Sequence, residues 1–315
     1  MKNMFDVHTT SLTKGIGRTK EFEKKGLAQY SVNVGTKCSH GCSYCSSASL
    51  LRMHSSFKAA KKSPFEDGYA IIDPEIASKV AYNAKHTWNR GQVMLCTTVD
   101  AWCPAAQKYN LGRKCLEAIL AEPGWTVRIL TKNAAVVDDF DIIEKYRSRV
   151  ILGLSITSTN DKISSILEPN ASSITERMKA LKLARAKGIR VYSMLCPLIA
   201  GIANSRAVID ELVQFGEEIG SEEFFAETVN RRGKALPNTQ NVLAENDFAK
   251  EAKAVEAIRQ KAGWSEYAVE LIRDVQASMR KYSDIDKLKF LLYPSNLLPE
   301  DEAQIKKDDK GVVWL

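Results

Sequence analysis

The sequence predicts an α/β fold in which six strands alternate with helices and pair in parallel. Apolar runs of strand length recur at residues 30–34, 93–96, 127–130, 149–156, 189–195 and 223–229. The run at 149–156 is almost continuously apolar, which is typical of a strand buried on both faces of a parallel sheet. Parallel strands that alternate with helices are joined by right-handed crossovers. The pattern therefore predicts a (β/α)6 partial TIM barrel with a C-terminal helical appendage.

Helical patterns fill the intervals between these strands. Asp73 and Pro74 give a capping residue followed by a proline at the first helical position. Ser173 and Glu176 have the spacing of a capping box, and Gly188 is a terminating glycine, so a helix is predicted between them. The other predicted helices span residues 114–121, 139–146, 205–219, 245–260 and 264–282.

Composition limits the class of protein. Hydrophobic residues make up 44% of the 315 residues and charged residues 26%, which is a globular composition. No apolar run approaches the ~20 residues of a membrane-spanning helix, and the first six residues lack the apolar core of a secretion signal. We therefore expect a cytoplasmic protein without a membrane partner; its oligomeric state is not predicted. We expect an N-terminal extension over 1–29, the barrel over 30–237 and a mostly helical appendage over 238–315.

Three cysteines stand close together after the first predicted strand. Cys38, Cys42 and Cys45 have C-x3-C-x2-C spacing in a loop that contains a glycine. Thiolate is the ligand that iron–sulfur clusters use, and three thiolates can hold three irons of a [4Fe–4S] cluster. Because a fourth cysteine is missing nearby, one iron is left open for a ligand that is not protein. The motif therefore predicts a cluster that binds and reduces a substrate or cofactor.

Two other uses of these cysteines fit the sequence less well. A structural zinc site usually needs four ligands in paired spacing, and no second pair follows. His40 lies inside the loop, where the flanking cysteines would strain it as a fourth ligand. A disulfide framework is disfavoured by seven cysteines, an odd number, and by the missing signal peptide.

Basic residues are concentrated on both sides of the cysteine loop, and the net charge of the chain is +7. They are Lys14, Arg18, Lys20, Lys24 and Lys25 before the loop, and Arg52, Lys58, Lys61 and Lys62 after it. A basic zone beside a reactive site attracts a phosphate-bearing substrate, including nucleic acid. The alternative is a solvated lysine-rich surface, because charge counts carry no specificity.

The cysteine spacing, Tyr44 in its last gap and the βα units that follow resemble the radical S-adenosylmethionine (SAM) superfamily. Further segments resemble its spore photoproduct lyase-like branch, whose members are often labelled DNA repair photolyases; they are 95–100, 129–133, 153–156, 166–169, 176–178 and 197–202. The resemblance implies that SAM chelates the open iron. One electron from the reduced cluster then cleaves a carbon–sulfur bond of SAM and yields a 5′-deoxyadenosyl radical, which abstracts hydrogen from a substrate.

The resemblance also assigns roles to individual residues. Cys38, Cys42 and Cys45 would bind the cluster. Cofactor binding would fall to Tyr44 beside the SAM adenine, Lys132 at the SAM carboxylate and Ser155 at a ribose hydroxyl. Many relatives carry, near the position of Gln107, a glutamate that helps to hold the SAM amino group. The side-chain oxygen of Gln107 could accept the same hydrogen bond, but without a negative charge. Ser46 replaces an aromatic residue that often follows the third cysteine in relatives.

Cys96 is the candidate catalytic residue outside the cluster motif. Cys96-Thr97-Thr98 ends a predicted strand and resembles the segment of spore photoproduct lyase whose cysteine supplies a hydrogen atom to the product radical. The alternative is a buried structural cysteine, since free cysteine is among the most buried residue types. Cys103 is a weaker candidate for a residue that lines the cavity.

The leading functional hypothesis is a radical SAM enzyme that acts on a nucleic acid or nucleotide, with reduced flavodoxin or ferredoxin as electron donor. One alternative keeps this chemistry on a peptide, protein or small metabolite, because one fold serves many substrates. The contrasting alternative is a non-catalytic iron–sulfur protein that binds nucleic acid. SAM binding by the reduced cluster separates that alternative from the other two.

Overall fold

The computed structural model describes residues 5–315, so the first four residues of the predicted N-terminal extension lie outside the described part. The strands are β1 (Asp6–Thr9), β2 (Gly17–Arg18), β3 (Tyr30–Val32), β4 (Gly35–Lys37), β5 (Tyr69–Ile72), β6 (Gln92–Leu95), β7 (Thr126–Thr131), β8 (Val150–Leu154), β9 (Arg190–Val191), β10 (Ser193–Leu198), β11 (Phe224–Thr228), β12 (Leu288–Leu292) and β13 (Val312–Trp314).

Helices occupy most of the intervals between the strands. The α-helices are α1 (Lys20–Lys24), α2 (Ser47–Leu50), α3 (Ser55–Ala59), α4 (Ile76–His86), α5 (Pro104–Gln107), α6 (Leu111–Leu120), α7 (Phe140–Lys145), α8 (Asp161–Leu167), α9 (Ile174–Ala186), α10 (Arg206–Glu218), α11 (Ala235–Glu245), α12 (Ala249–Ala257), α13 (Lys261–Tyr282) and α14 (Pro299–Ile305). Short 3-10 helices span Ala134–Asp139, Ile285–Lys287 and Pro294–Asn296. None of the helices within residues 5–315 has the length and apolar character to cross a membrane.

Two sheets of mostly parallel strands form the partial barrel. The first has the order β2-β3-β6-β7-β8-β9, in which only the β2–β3 pair is antiparallel, and the second has the parallel order β10-β11-β12-β13. A bridge between Ser155 and Met194 connects the two sheets. A third sheet of order β1-β5-β4 contains the strand that leads into the cysteine loop. The predicted fold class is confirmed, and β12 and β13 add two parallel strands from the mostly helical C-terminal region.

The fifth predicted strand divides at Tyr192. The backbone N–H of Tyr192 donates to the carbonyl of Leu152 at 3.0 Å, whereas that of Ser193 donates to the carbonyl of Glu223 at 2.9 Å. The chain therefore changes its pairing partner from β8 to β11 within two residues. An apolar run in the sequence indicates a strand but does not indicate this exchange of neighbours.

Local capping signals set the ends of α9 as predicted. Ser173 and Glu176 form both hydrogen bonds of the capping box, and Gly188 takes a φ of +70° after the last turn. The helix predicted over 245–260 is wrong in extent. There α11 ends at Glu245 and α12 begins only at Ala249, because Asp247 between them adopts a φ of +66° that interrupts the helix.

Large side chains pack inside the barrel towards the N-terminal ends of its strands. This interior cluster includes Leu27, Met94, Ile151, Tyr192, Met194, Phe225 and Leu291. The hydroxyl of Tyr192 donates to the carbonyl of Ile129 at 2.9 Å and fixes the ring. Gly153 makes room for it, since a Cβ there would lie 2.4 Å from the ring. Space for a site is therefore left at the C-terminal ends of the strands.

Gly153→Ala should lower the free energy of unfolding by about 1–3 kcal/mol, because the added methyl group overpacks the interior against Tyr192. Gly17→Ala is the matched control, since a Cβ at Gly17 meets no atom within 4 Å. Its effect should stay below about 0.5 kcal/mol. Chemical denaturation measures both variants, and equal stability of Gly153→Ala and the wild type would contradict this packing.

Candidate active site

The cysteine loop follows β4 and is held by the segment 167–170 behind it. The backbone N–H of Ser43 donates to the carbonyl of Leu167 at 2.9 Å. The backbone N–H of Asn170 donates to the carbonyl of His40 at 3.1 Å. Because these bonds fix both halves of the loop, its side chains are positioned by backbone contacts as well as by local turns.

One cavity gathers most of the predicted site residues. The cysteine loop lies on one side of it, and residues at or just beyond the C-terminal ends of β6, β7 and β8 lie on the other. Seven predicted residues line it: Cys38, Cys42, Tyr44, Cys45, Cys96, Lys132 and Ser155. Parallel α/β barrels carry their functional groups at this end of the strands. Sequence patterns at strand ends therefore pointed to residues that the fold brings together.

A buried ion pair connects the cysteine loop to the barrel. Glu168 and Arg177 are 2% and 0% exposed, and the guanidinium donates to the carboxylate. Tyr44 in the loop donates its hydroxyl to the same carboxylate. Arg177 also donates to the carbonyls of Ser155 and Ser172, both at 2.9 Å. A single arginine therefore fixes the end of β8, the start of α9 and, through Glu168, the loop.

Asp100 positions the last residue of β7 and the residue that follows it. Its carboxylate accepts the hydroxyl of Thr131 at 2.9 Å and the backbone N–H of Lys132 at 2.8 Å. The ammonium of Lys132 lies 5.6 Å from the centroid of the Tyr44 ring. A positive charge and an aromatic face therefore stand next to each other at the cavity wall.

Asn33 orders the turn that follows Cys96. Its side-chain oxygen accepts the backbone N–H groups of Thr97, Thr98 and Val99 at 3.0, 2.7 and 3.2 Å. Its amide nitrogen donates to the hydroxyl of Thr97 at 2.7 Å. One side chain thus satisfies backbone groups that have no partner in a sheet, as buried backbone requires.

Cys96, Cys103 and Gln107 lie in different surroundings. Cys96 is buried, and burial raises the pKa of its thiol well above the ordinary value, so its S–H bond is kept at neutral pH. Cys103 is fully buried and does not line the cavity. Gln107 is exposed on α5, and its amide donates to the carbonyl of Trp102 at 2.6 Å. The structure does not bring Gln107 to the cavity.

The three loop thiols line one cavity and have the chemistry of cluster ligands. A [4Fe–4S] cluster takes one thiolate at each of three irons, so this donor set fits such a cluster. Burial raises the pKa of Cys42 to about 12. Loading a cluster would therefore release protons.

His40 gives a second observation that fits a bound group. Burial lowers the pKa of His40 to about 4, so the ring is neutral at neutral pH. It lines the same cavity as the three thiols, and its Nε2 is buried without a hydrogen-bond partner among the described residues. Since an unpartnered buried nitrogen costs free energy, a group bound at this wall would remove that cost.

Sequence reasoning missed Glu168, Arg177 and Asn33 as parts of the site. Arg177 carries a readable signal, because it lies on the buried face of α9. That face consists of Ile174, Arg177, Ala180, Leu181 and Ala184. An arginine in such a row needs a buried partner, usually a carboxylate. Asn33 carries no comparable local signal, since its partners Thr97, Thr98 and Val99 are distant in the sequence. Glu168 lies in the segment 166–169 that carries the family resemblance, but the resemblance gave it no role.

Comparison with known families identifies the class of protein. The family model of the radical SAM superfamily matches residues 32–211, and the chain belongs to that superfamily. It is therefore a radical SAM enzyme. An uncharacterised protein of Acidianus two-tailed virus is 26% identical over 223 residues, 69% of this chain and 72% of that protein. An uncharacterised protein of Methanocaldococcus jannaschii is 22% identical over 249 residues, 79% of this chain and 86% of that protein.

Solved structures of spore photoproduct lyase have the same fold. Its complex with dinucleoside spore photoproduct has a TM-score of 0.59 and 16% identity, over 88% of this chain and 79% of that chain. A mutant with bound AdoMet and the same dinucleoside has a TM-score of 0.60 and 16% identity, over 88% and 78%. The resemblance inferred from the sequence is therefore confirmed in the fold.

Glu168→Gln should lower the free energy of unfolding by about 3–5 kcal/mol, because it leaves the buried Arg177 without a counter-charge. Burial alone would raise the pKa of Glu168, but the charge of Arg177 lowers it below the ordinary 4.5. The carboxylate thus contributes stability above pH 4.5, and this contribution is lost as the pH falls through the folded-state pKa. The variant should therefore lose less stability on acidification than the wild type.

Glu176→Gln is the matched control, since glutamine also serves at this position of a capping box. Denaturation from neutral pH to below pH 4 measures both variants, and the control should stay within about 0.5 kcal/mol of the wild type. Equal stability of the Glu168 and Glu176 variants at neutral pH would contradict the role of the buried pair.

Proposed function

We propose that the cavity holds a [4Fe–4S] cluster on Cys38, Cys42 and Cys45 with SAM at the open iron, and that the enzyme acts on a nucleic acid or nucleotide. The observation that carries the proposal is the single cavity shared by these thiols, Lys132 and Cys96. When bound, the cluster and SAM supply a 5′-deoxyadenosyl radical, which takes a hydrogen atom from the substrate. The protein orients the reactants and excludes water.

Three side chains would hold SAM. The ammonium of Lys132 would pair with the carboxylate of SAM, and its position follows from the backbone hydrogen bond to Asp100. Ser155 would hydrogen-bond a ribose hydroxyl from the end of β8, where Arg177 fixes its carbonyl. Tyr44 would lie beside the adenine. The hydroxyl of Tyr44 already donates to Glu168. The face of the Tyr44 ring is therefore the part that would contact the adenine.

Cys96 would donate a hydrogen atom to the product radical. In that step its S–H bond breaks, a C–H bond forms on the product and the odd electron remains on sulfur. Its raised pKa supports the role, because a thiolate has no hydrogen atom to give. The turn held by Asn33 keeps the residue at the cavity wall.

Charge and fold support a nucleic-acid substrate. The basic residues on both sides of the cysteine loop favour a phosphate-bearing ligand. The structural relatives include a lyase bound to a dinucleoside photoproduct. Reduced flavodoxin or ferredoxin would deliver the electron. The cytoplasmic location and the division into three regions stay predictions.

Cys42→Ala should abolish cluster assembly, since each thiolate holds its own iron. Wild-type protein reconstituted without oxygen should bind about four irons per chain and form 5′-deoxyadenosine from SAM with dithionite. Cys115→Ala is the control, because it makes the same substitution at a cysteine that is buried on α6 outside the cavity. Iron content and 5′-deoxyadenosine formation are the measurements. Full retention of both in Cys42→Ala would contradict the assignment.

When the reaction runs in D2O, Cys96→Ala should form a product that carries no deuterium from the solvent. The thiol of Cys96 exchanges with solvent, so the wild type should transfer one deuterium to each product that it quenches. Mass spectrometry of DNA and RNA oligonucleotides after turnover measures this label. The Cys115→Ala control should keep it. Unchanged labelling in Cys96→Ala would exclude Cys96 as the donor.

A further inference from the structure

A polar groove lies beside the reaction cavity. One wall is formed by the strap, residues 10–16, which connects β1 to β2, and by Gly17 at the start of β2. Thr36 and Thr98 line both the groove and the cavity, so the two spaces share a wall. The groove has a volume of about 320 Å³, which is in the range of ligand sites.

The strap has almost no regular structure of its own, but the body of the protein fixes its backbone. The N–H of Thr10 donates to the carbonyl of Ile72 at 2.9 Å. The N–H groups of Gly15 and Ile16 donate to the side-chain oxygen of Asn83 at 2.8 and 3.0 Å. The wall of the groove is therefore preformed, which limits the entropy that a ligand must overcome on binding.

Most of the polar side chains that line the groove can donate a hydrogen bond, and the side chains of Leu12, Asn33 and Leu51 complete the lining. Lys14 and His54 line it together with hydroxyl residues, which are Thr10, Ser11, Thr13, Ser31, Thr36, Ser55 and Thr98. No carboxylate is among its lining residues. Asp73 lies behind the strap, and its negative charge is already paired. Its carboxylate accepts hydrogen bonds from the ammonium of Lys79 at 2.8 Å and from the backbone N–H of Leu12 at 2.7 Å.

His54 is oriented as a hydrogen-bond donor. Its Nδ1 accepts the backbone N–H of Ser56 at 3.2 Å as the cap of α3. Nε2, at the other end of the ring, is therefore the nitrogen that can donate a hydrogen bond. The hydroxyl of Ser56 in turn lies 2.8 Å from the hydroxyl of Thr36, which belongs to the shared wall.

We propose that the groove binds a phosphodiester of the nucleic-acid strand whose reacting nucleotide enters the neighbouring cavity, which rests on the proposed function above. Hydroxyls, an ammonium and an imidazole N–H are the donors that contact phosphate and fix the register of a strand without reading its bases. The shared wall of Thr36 and Thr98 places a phosphate next to the reacting nucleotide. The groove thus selects a nucleotide within a chain over a free nucleoside.

Gly17 allows a sharp test, because it lines the groove and a Cβ there meets no atom within 4 Å. Gly17→Glu places a carboxylate in the groove, and Gly17→Gln is its neutral isostere. The full reconstituted chain is titrated against fluorescein-labelled oligothymidylate and oligouridylate by anisotropy. Gly17→Glu should bind about tenfold more weakly than Gly17→Gln at low salt. Thermal unfolding confirms that both variants are folded.

Lys14→Ala tests the groove by removing a positive charge from its lining. It should reduce the slope of log affinity against log salt by about 0.7, the value for one phosphate contact on a single strand. Lys253→Ala removes the same charge from an exposed position on α12 and should leave the slope unchanged. Both probes should lose affinity in the same proportion, because the contact is to the phosphodiester that DNA and RNA share.

Each contrary outcome is informative. Equal binding by Gly17→Glu and Gly17→Gln, a loss confined to one probe, or no binding of either probe by the wild type overturns the inference. Formation of 5′-deoxyadenosine by the wild type is scored separately. If that activity is absent while the groove variants still differ in binding, the proposed function fails and the groove stands.

Discussion

The buried pair of Glu168 and Arg177 is the constraint on which the site depends. Removing two charges from water costs several kcal/mol for each ion, and the cost is offset only when every donor and acceptor has a well-placed partner. Here Arg177 donates to Glu168 and to two backbone carbonyls, while Glu168 also accepts from Tyr44 and Thr157. The pair is therefore stable in one arrangement, and that arrangement places the cysteine loop over the ends of the strands.

The cysteine loop lies where the barrel leaves space for a site. Bulky side chains close the interior towards the N-terminal ends of the strands, so the remaining space lies where β6, β7 and β8 end. Residues at these ends come from distant parts of the chain, yet the parallel pairing aligns them. The strap then extends this space sideways through Thr36 and Thr98. The cavity and the groove thus share one wall.

Local patterns in the sequence were sufficient for the fold class and for the residues at strand ends. Lys132 and Ser155 lie at the ends of strands that could be recognised from apolar runs alone. Cys38 follows β4, whose sequence Gly35-Thr36-Lys37 has no apolar run, and the cavity brings it together with the other two residues. Their chemical roles stay predictions. Gln107 could not be placed from the sequence, because only the buried neighbours on α5 show which side of that short helix faces outward. β12 pairs with the free edge of β11, and β13 pairs with β12. No local pattern in the sequence reveals these partners.

The most direct measurement is the electron paramagnetic resonance spectrum of the reduced, reconstituted protein with and without SAM. A cluster with three cysteine ligands and an open iron in this cavity predicts a change in g values when SAM is added. The control is the same titration of Lys132→Ala, in which the change should need more SAM because the paired ammonium is gone. A wild-type spectrum that stays unchanged at saturating SAM, with the cluster intact, would contradict the proposed site.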